Sequence, residues 1–464
     1  MFWESGRPSL LNENDKTFVF WLAVTFTIAY FVFGTYHNRP YKVAADGKYY
    51  YMYLVSFVND FDFDFTNDYR TPKPSWMVDE IDLYNLRTKV IRQTERPLNV
   101  WTCGPAILWF PFFALAFITA GILDKLFQTG IGIDPWTRYY QYFTLFSSVI
   151  YSAFTGWFMA AVMRNLFKRY AIYWAVVLVF WGTNLWYYSV IEASLSHATD
   201  LFTLTLFFWL FLRIHRGDRR LGNFYLLGLS GGLHCLVRTQ NLASIALFTL
   251  ALLWHEFRTP YTSGIPRSGD GVKAYLAMLI FSLLPILIIN TYMMGKPFTV
   301  PQGDRFFYPL NPHIIEVLFS GNNGLFFHNP ILIFGLIGYG LFIHRLMRTD
   351  QIDALPYVSL GLVFCIQLYI NSIAVDWWGG NALGQRRMIS SYLMFSIGLA
   401  CMGDILANKI HLRRAWIMIG SLALFVNIYM TLVFLFAYRL SENIYDTMFH
   451  HLPGILLYYL RNPG

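Results

Sequence analysis

Runs of about 20 apolar residues, parted by short polar connectors, recur along the whole chain. Inside a bilayer no water is present to pair an open N–H or C=O, so such runs fit there only as helices or as strands of a closed barrel. Their length and unbroken apolar character select helices. They fall at 18–36, 139–163, 171–188, 199–212, 222–237, 242–257, 274–292, 331–346, 354–375, 388–406 and 415–437. The expected fold is an all-α polytopic membrane protein with about eleven transmembrane helices. Only 13% of the residues are charged, against roughly 25% in soluble domains, which excludes an ordinary globular enzyme.

Charge orients these helices. The net charge of +8 is no nucleic-acid signature, because the basic residues sit in short connectors between apolar runs. Arg164, Lys168 and Arg169 form one connector, and Arg213, Arg216, Arg219 and Arg220 the next. Arg258, Arg267 and Lys273 follow, then Arg345 with Arg348, and last Lys409, Arg413 and Arg414. Lys and Arg concentrate on the cytoplasmic side of membrane proteins, so the N-terminus is expected inside and the C-terminus outside. This parity requires a further apolar stretch, 104–123, not to cross; Pro105 and Pro111 suit a shallow or re-entrant juxtamembrane helix. Polar residues precede the first run, which is too long for a cleaved signal and reads as a retained anchor. The four cysteines are scattered and read as structural thiols. The chain is expected to form a single membrane domain over 1–464. An elaborated outer loop at 37–138 carries juxtamembrane helices, and a second outer loop lies at 293–330.

The residues able to do chemistry lie in the segments assigned to the outer side. Ala45-Asp46-Gly47-Lys48-Tyr49 follows the first helix; Asp46 reads either as a general base beside a permissive glycine or as the start of an Asx turn. Glu192, His197 and Asp200 stand at the mouth of a helix, with His197 and Asp200 three apart on one face. They could contact substrate or hold a divalent ion; equally, Ser196 could cap the helix and Asp200 complement its dipole. Arg238, Arg386 and Arg387 run against the usual charge bias, so each needs an anion, either a substrate phosphate or a lipid headgroup. Lys48, Tyr49, Trp377 and Trp378 are candidate substrate contacts beside them. The alternation of acids and aromatics over Asp60–Tyr69 reads as a packed interfacial loop in preference to a calcium site. His328, His450 and His451 read as interfacial or structural. No cofactor motif is present and no metal site is assigned.

Several of these segments carry a resemblance. An acid in the first outer loop directly after the first helix is a hallmark of GT-C glycosyltransferases, the group that includes protein O-mannosyltransferases and the aminoarabinose transferase of lipid A. Arg96-Pro97-Leu98-Asn99 with Gly104-Pro105-Ala106-Ile107-Leu108-Trp109-Phe110-Pro111-Phe112 resembles the N-x-x-x-x-G-P-A-x-L-x-x-P-F stretch of the bacterial branch. Glu192-Ala193-Ser194-Leu195-Ser196-His197 resembles its E-x-S-x-S-H turn, and Gly324-Leu325-Phe326-Phe327-His328-Asn329-Pro330 its G-L-x-x-x-x-P loop. Trp377-Trp378-Gly379-Gly380-Asn381-Ala382-Leu383-Gly384-Gln385-Arg386 resembles W-x-G-G-x-x-x-G-x-R. The matches run in one order, and all fall on the outer side of a topology drawn from charge alone. One departure matters: better-studied members carry a Lys-Pro-Pro-like element where this chain has Thr102-Cys103-Gly104-Pro105, so no lysine contact to a lipid phosphate carries over there.

The resemblance implies a GT-C fold and an inverting glycosyltransferase. It would move a sugar from a polyprenyl-phosphate donor to an acceptor hydroxyl on a glycan, lipid or protein at the extracytoplasmic face of a bacterial inner membrane. Asp46 would be the catalytic base; Arg386, Arg387 and Arg238 would bind the donor phosphate. A polymerase or ligase using a lipid diphosphate donor is the nearest alternative, although its large outer loop would come late in the chain. A lipid or solute transporter would show internal repeats and midplane ionisable groups, neither of which is evident.

Overall fold

The computed structural model describes residues 13–36, 42–70, 90–91, 94–132, 134–258, 268–299, 306–349 and 351–436. The middle of the first outer loop, Arg267, His450, His451 and the C-terminal tail lie outside the described residues. Each expected apolar run but 171–188 is helical nearly throughout. In chain order the elements are α1 (Glu13–Tyr36), α2 (Gly47–Asn59), α3 (Thr66–Arg70), the strands β1 (Val90–Ile91) and β2 (Arg96–Pro97), α4 (Gly104–Phe127), α5 (Arg138–Leu145) and α6 (Ser147–Met163). Then come α7 (Arg169–Trp181), a π-helical turn (Tyr187–Ile191), α8 (His197–His215), α9 (Leu221–Val237), α10 (Asn241–Arg258) and α11 (Ser268–Met294). The last are α12 (Ile314–Phe319), α13 (Leu325–His328), α14 (Ile331–Thr349), α15 (Gln351–Ser372), a 3-10 turn (Arg386–Ser391), α16 (Tyr392–Leu406) and α17 (Ile410–Phe436). Among the described residues nine helices are long and apolar enough to cross a membrane, and the chain is built as an integral membrane protein.

Two expectations change. The stretch 104–123 forms one continuous helix, α4, of 24 residues with Pro111 inside it, and it is long and apolar enough to cross. Pro105 sits in its first turn, where a missing N–H costs nothing, and the helix runs on through Pro111. A crossing at α4 would reverse the parity drawn from charge for everything after it. The run 171–188 does not continue as one helix: α7 ends at Gly182 after 13 residues, about 20 Å of rise, short of a bilayer core of about 30 Å.

The chain divides into two compact units: one comprises Met1–Thr155 with Tyr188–Phe306, the other Gly156–Tyr187 with Phe307–Gly464. The first unit has an aromatic core between α2, α4 and α5. Tyr51, Phe113 and Tyr140 are fully buried there, with ring centroids 6.1 Å apart for Tyr51–Phe113 and 5.7 Å for Phe113–Tyr140. Each buried phenol finds a carbonyl: Tyr51 donates to Pro135 O at 2.9 Å and Tyr140 to Gly132 O at 3.2 Å. That pairing is what lets large, partly polar rings fill an apolar core. In the same unit α9 approaches α11 through Gly228 and Gly232, where an added Cβ would strike Tyr275 O and the Ser282 side chain. Close backbone approach through small residues supplies the van der Waals contact that holds helices together in lipid. The second unit uses the same device between α14 and α16, at Gly335, Gly338 and Gly398.

Candidate functional site

In the first unit the candidate site is built where α2 begins. Ala45 takes a left-handed conformation, φ 46°, which turns the chain sharply into the helix. Asp46 is the N-cap, half-buried, and its side chain makes no cap hydrogen bond. The first amides of α2 are served by backbone instead: Gly47 N donates to Ala44 O at 2.9 Å and Tyr49 N to Asp46 O at 3.2 Å. The carboxylate is therefore not used to start the helix, and the Asx-turn alternative does not hold.

Segments far apart in sequence converge on this point. Ala44 N donates to Ser194 Oγ at 3.1 Å, and Tyr50 Oη to Ser196 Oγ at 3.3 Å. Ser148 donates to Ala193 O at 2.8 Å, fixing the turn from behind. Thus the Asp46 loop and the Glu192–His197 turn are one packed structure. Gly47 is required at the contact: a Cβ there would overlap the Ser194 side chain and lie 2.9 Å from Ser194 O. We expect Gly47→Ala to lower turnover by about two orders of magnitude, the penalty of roughly 1 Å of misplacement. Turnover of this variant against Gly121→Ala, where an added Cβ meets nothing within 4 Å, checks it, and equal loss in the two would mean that the contact is not the cause.

The Asn99 and Gly104 stretch meets the same region. Asn99 Nδ2 donates to Tyr49 O at 3.0 Å, and Trp101 stacks on Tyr49 with centroids 4.0 Å apart. Thr102 Oγ1 donates to Val237 O at 2.8 Å, and a Cβ on Gly104 would overlap the main chain of Leu236 and Val237. This brings the start of α4 against the end of α9, beside Arg238. Lys48 and Tyr49 are both buried, with the ammonium 4.9 Å from the Tyr49 ring centroid. Both lie in the first turn of α2.

Asp200 is almost fully buried and serves its own unit. Its Oδ1 accepts from Asn241 Nδ2 at 2.6 Å and lies 3.4 Å from His234 Nδ1; its Oδ2 is 3.5 Å from Arg238 Nη1. Thr203 hydroxyl sits 2.9 Å from the same histidine nitrogen. The carboxylate therefore aligns the Arg238 guanidinium. His197, expected to share a face with Asp200, packs its ring edge-on to Tyr188 at 5.0 Å. The trio Glu192, His197 and Asp200 is not gathered as a ligand set: among the described residues no group of three or more His, Cys, Asp or Glu is placed to hold a metal ion.

Sequence reasoning missed Lys42. It is buried four residues before Asp46 with its Nζ 2.5 Å from Val190 O, and burial pushes its amine down to about 7, with Glu192 opposing the shift. No local signal marks it, because its partners Gln141 and Val190 lie far along the chain.

In the second unit the Trp377–Arg387 turn is a rigid element. Gly379, Gly380 and Gly384 have φ of 77°, 73° and 65°, the left-handed region that only glycine enters readily. Asn323 Nδ2 donates to both Trp378 O and Gly380 O at 3.0 Å, and Gln385 Nε2 to Trp377 O at 2.9 Å. Beneath lie buried asparagines: Asn184 donates to Leu383 O at 2.7 Å and accepts from Tyr392 Oη at 2.5 Å, while its amide N donates to Asn329 Oδ1 at 2.9 Å. Arg387 forms a two-point pair with Asp376, at 2.9 Å and 2.5 Å. Arg386 runs over Gly379 and Gly380, its Nη2 3.8 Å from where a Cβ on Gly380 would stand. Of the two, Arg387 holds the turn and Arg386 lies along its glycine surface. Trp377 stacks on His313 at 5.5 Å and meets Trp378 edge-on at 5.7 Å. His328 is buried with Nδ1 3.1 Å from Gly324 O; burial pushes it down to about 4, so it is a neutral structural residue.

The Asp60–Tyr69 loop is closed on itself, with Asp62 Oδ1 accepting from Asp64 N at 3.0 Å and Asp64 Oδ1 from Thr66 Oγ1 at 2.6 Å. Asp64 Oδ2 faces Arg96 at 3.5 Å, and that guanidinium lies 3.8 Å over the Tyr292 ring. The loop's acids are thus spent on its own donors and on Arg96, while Phe61 at its tip is exposed.

No protein-family model matches the chain, and no curated protein matches it in sequence. Among solved structures it is similar to the Archaeoglobus fulgidus oligosaccharyltransferase in its apo form, at 12% identity and a TM-score of 0.44 over 94% of this chain and 55% of that one. It is also similar to the archaeal oligosaccharyltransferase AglB from Archaeoglobus fulgidus in complex with an inhibitory peptide and a dolichol-phosphate, at 12% identity and a TM-score of 0.47 over 97% of this chain and 58% of that one. The chain thus spans a little over half the length of the solved structures it matches.

Proposed function

We propose that this chain is an inverting glycosyltransferase that moves a sugar from a polyprenyl-phosphate donor to an acceptor hydroxyl at the extracytoplasmic face of a bacterial inner membrane. The observation that carries the reading is the convergence within the first unit: the loop with Asp46, the Glu192–His197 turn and the Asn99–Gly104 stretch, each singled out by its GT-C resemblance, pack on one another. Resemblance of separate motifs is weak; their assembly into one structure is what a shared site requires.

Asp46 accepts the proton of the acceptor hydroxyl as that oxygen attacks the anomeric carbon. The bond from that carbon to the phosphate oxygen breaks, and the lipid phosphate leaves with the electron pair. A single displacement from the opposite face inverts the centre. Arg238, paired with Asp200 at 3.5 Å, is suited to phosphate, since a guanidinium meets phosphate oxygens in a two-point geometry; in the second unit Arg386 has the same chemistry. Stabilising the charge that grows on the leaving phosphate is the larger part of such catalysis. Asp376 already satisfies Arg387, whose role is to hold the turn.

Mass spectrometry of membrane lipids from cells lacking the protein tests the reading. A polyprenyl-phosphate-sugar species should accumulate, and purified protein should consume that species with release of polyprenyl phosphate. Accumulation of a lipid diphosphate oligosaccharide instead would assign the chain to a ligase or polymerase.

A further inference from the structure

We infer that Lys42 is a positioning residue of this site, its buried ammonium tying the segment that carries Asp46 to the π-helical turn that delivers Glu192. The inference rests on the proposed function above for its purpose, and on geometry for its content. A π-helical turn disturbs the regular helical ladder and leaves carbonyls seeking donors. Lys42 supplies one: its Nζ donates to Val190 O at 2.5 Å, within Tyr187–Ile191. The same ammonium stands 4.2 Å from the Tyr30 ring centroid and 5.7 Å from that of Tyr142, both faces that attract a cation. Lys42 is only 3% exposed.

The backbone around it is strapped as well. Lys42 N and Val43 N both donate to Gln141 Oε1 at 3.0 Å, and Ala44 N donates to Ser194 Oγ at 3.1 Å. Residues 42–47 therefore descend from an anchored lysine into the sharp bend at Ala45 and on to Asp46. The Lys42 side chain reaches the turn two residues before Glu192, and Ala44 reaches it two residues after. Removing the side-chain anchor leaves the loop tied to the turn only through Ala44 and Ser194, with Gln141 still holding the backbone of residues 42 and 43.

The charge groups that face the amine are Tyr30 from α1, Tyr142 from α5 and Glu192 after the turn. Burial, opposed by Glu192, holds the amine near 7 against the usual lysine value near 10.5. Between those values the unfolded chain binds more protons than the folded one, so this residue's contribution to stability improves as pH rises through that window. Below it, the buried charge is a cost to the fold. A residue kept for folding alone would do better as methionine; one kept for geometry at the site would not.

The test uses the full chain in lipid nanodiscs, with its four cysteines replaced and a nitroxide on Ala45→Cys, read in parallel with Lys42→Met. The expected results are a more mobile spin-label spectrum in Lys42→Met and a melting temperature at about pH 6 no lower than the parent's, the gain shrinking toward about pH 10. With a hexose on a short polyprenyl phosphate, kcat should fall about tenfold or more while KM stays within about twofold. An unchanged spectrum, or a melting temperature that falls with activity, overturns the inference. If the parent itself turns over no polyprenyl-phosphate sugar, the proposed function fails, while the spectra and the pH dependence still decide the role of Lys42.

Discussion

Asp46→Asn is expected to lower turnover by on the order of 10³-fold, about 4 kcal/mol of transition-state stabilisation, with donor KM and melting temperature close to those of the parent. The amide has the same shape as the carboxylate but cannot take a proton from the attacking hydroxyl. The start of α2 should be kept, because its first amides pair with backbone and not with this side chain. Asp46→Glu keeps the base and displaces it by a methylene, so it should retain more activity than Asp46→Asn while still losing on the order of 10²-fold. The order of the two variants is the discriminating result. If Asn and Glu are equally active, the carboxylate is not the base. If Asn loses melting temperature with activity, Asp46 is holding the loop instead of doing chemistry. Steady-state rates with a polyprenyl-phosphate sugar and thermal unfolding in the same buffer decide between these outcomes.

What could be read before the structure, and what could not, follows from the range of the interactions involved. The helices were legible because an apolar run of bilayer length is a local property, and every expected run but 171–188 is helical nearly throughout. The end of α7 was not. Leu185-Trp186-Tyr187-Tyr188 is as apolar as the helix before it, yet Trp186 is turned to Asn427, with its Nε1 donating to Oδ1 at 3.0 Å. That partner lies far along the chain, and no periodicity announces it. Asp200 shows the same limit. A spacing of three from His197 is visible in the sequence, but Asn241, His234 and Arg238, which claim the carboxylate, come from the end of α9 and the start of α10. The Trp377–Arg387 turn was legible as a glycine-rich element beside arginines. Which arginine Asp376 would occupy depends on three left-handed glycines folding the turn back on itself.

Gly398→Val is expected to abolish accumulation of folded protein, and Gly398→Ala to lower the melting temperature by about 5 °C or more. In lipid no hydrophobic force drives one helix onto another, so α14 and α16 are held by the closeness of their backbones. A Cβ on Gly398 would overlap the carbonyl oxygen of Gly335 and lie 2.7 Å from Tyr339 N, and a Cβ on Gly338 would overlap the carbonyl of Gly398. The atoms struck are main chain and a Cβ is fixed by its own backbone, so no rotamer change relieves the overlap and the helices must separate. Separation would also strain the polar network under the Trp377–Arg387 turn, because Tyr392, at the start of α16, holds Asn184 at 2.5 Å. Gly340 on α14 provides the control, since a Cβ there meets nothing within 4 Å. Gly340→Ala should leave the melting temperature unchanged or raise it slightly, as alanine is the better helix former by about 1 kcal/mol. Size-exclusion profiles and thermal unfolding of the variants check the pair. Equal behaviour of Gly398→Ala and Gly340→Ala would mean that close backbone contact is not what joins α14 to α16.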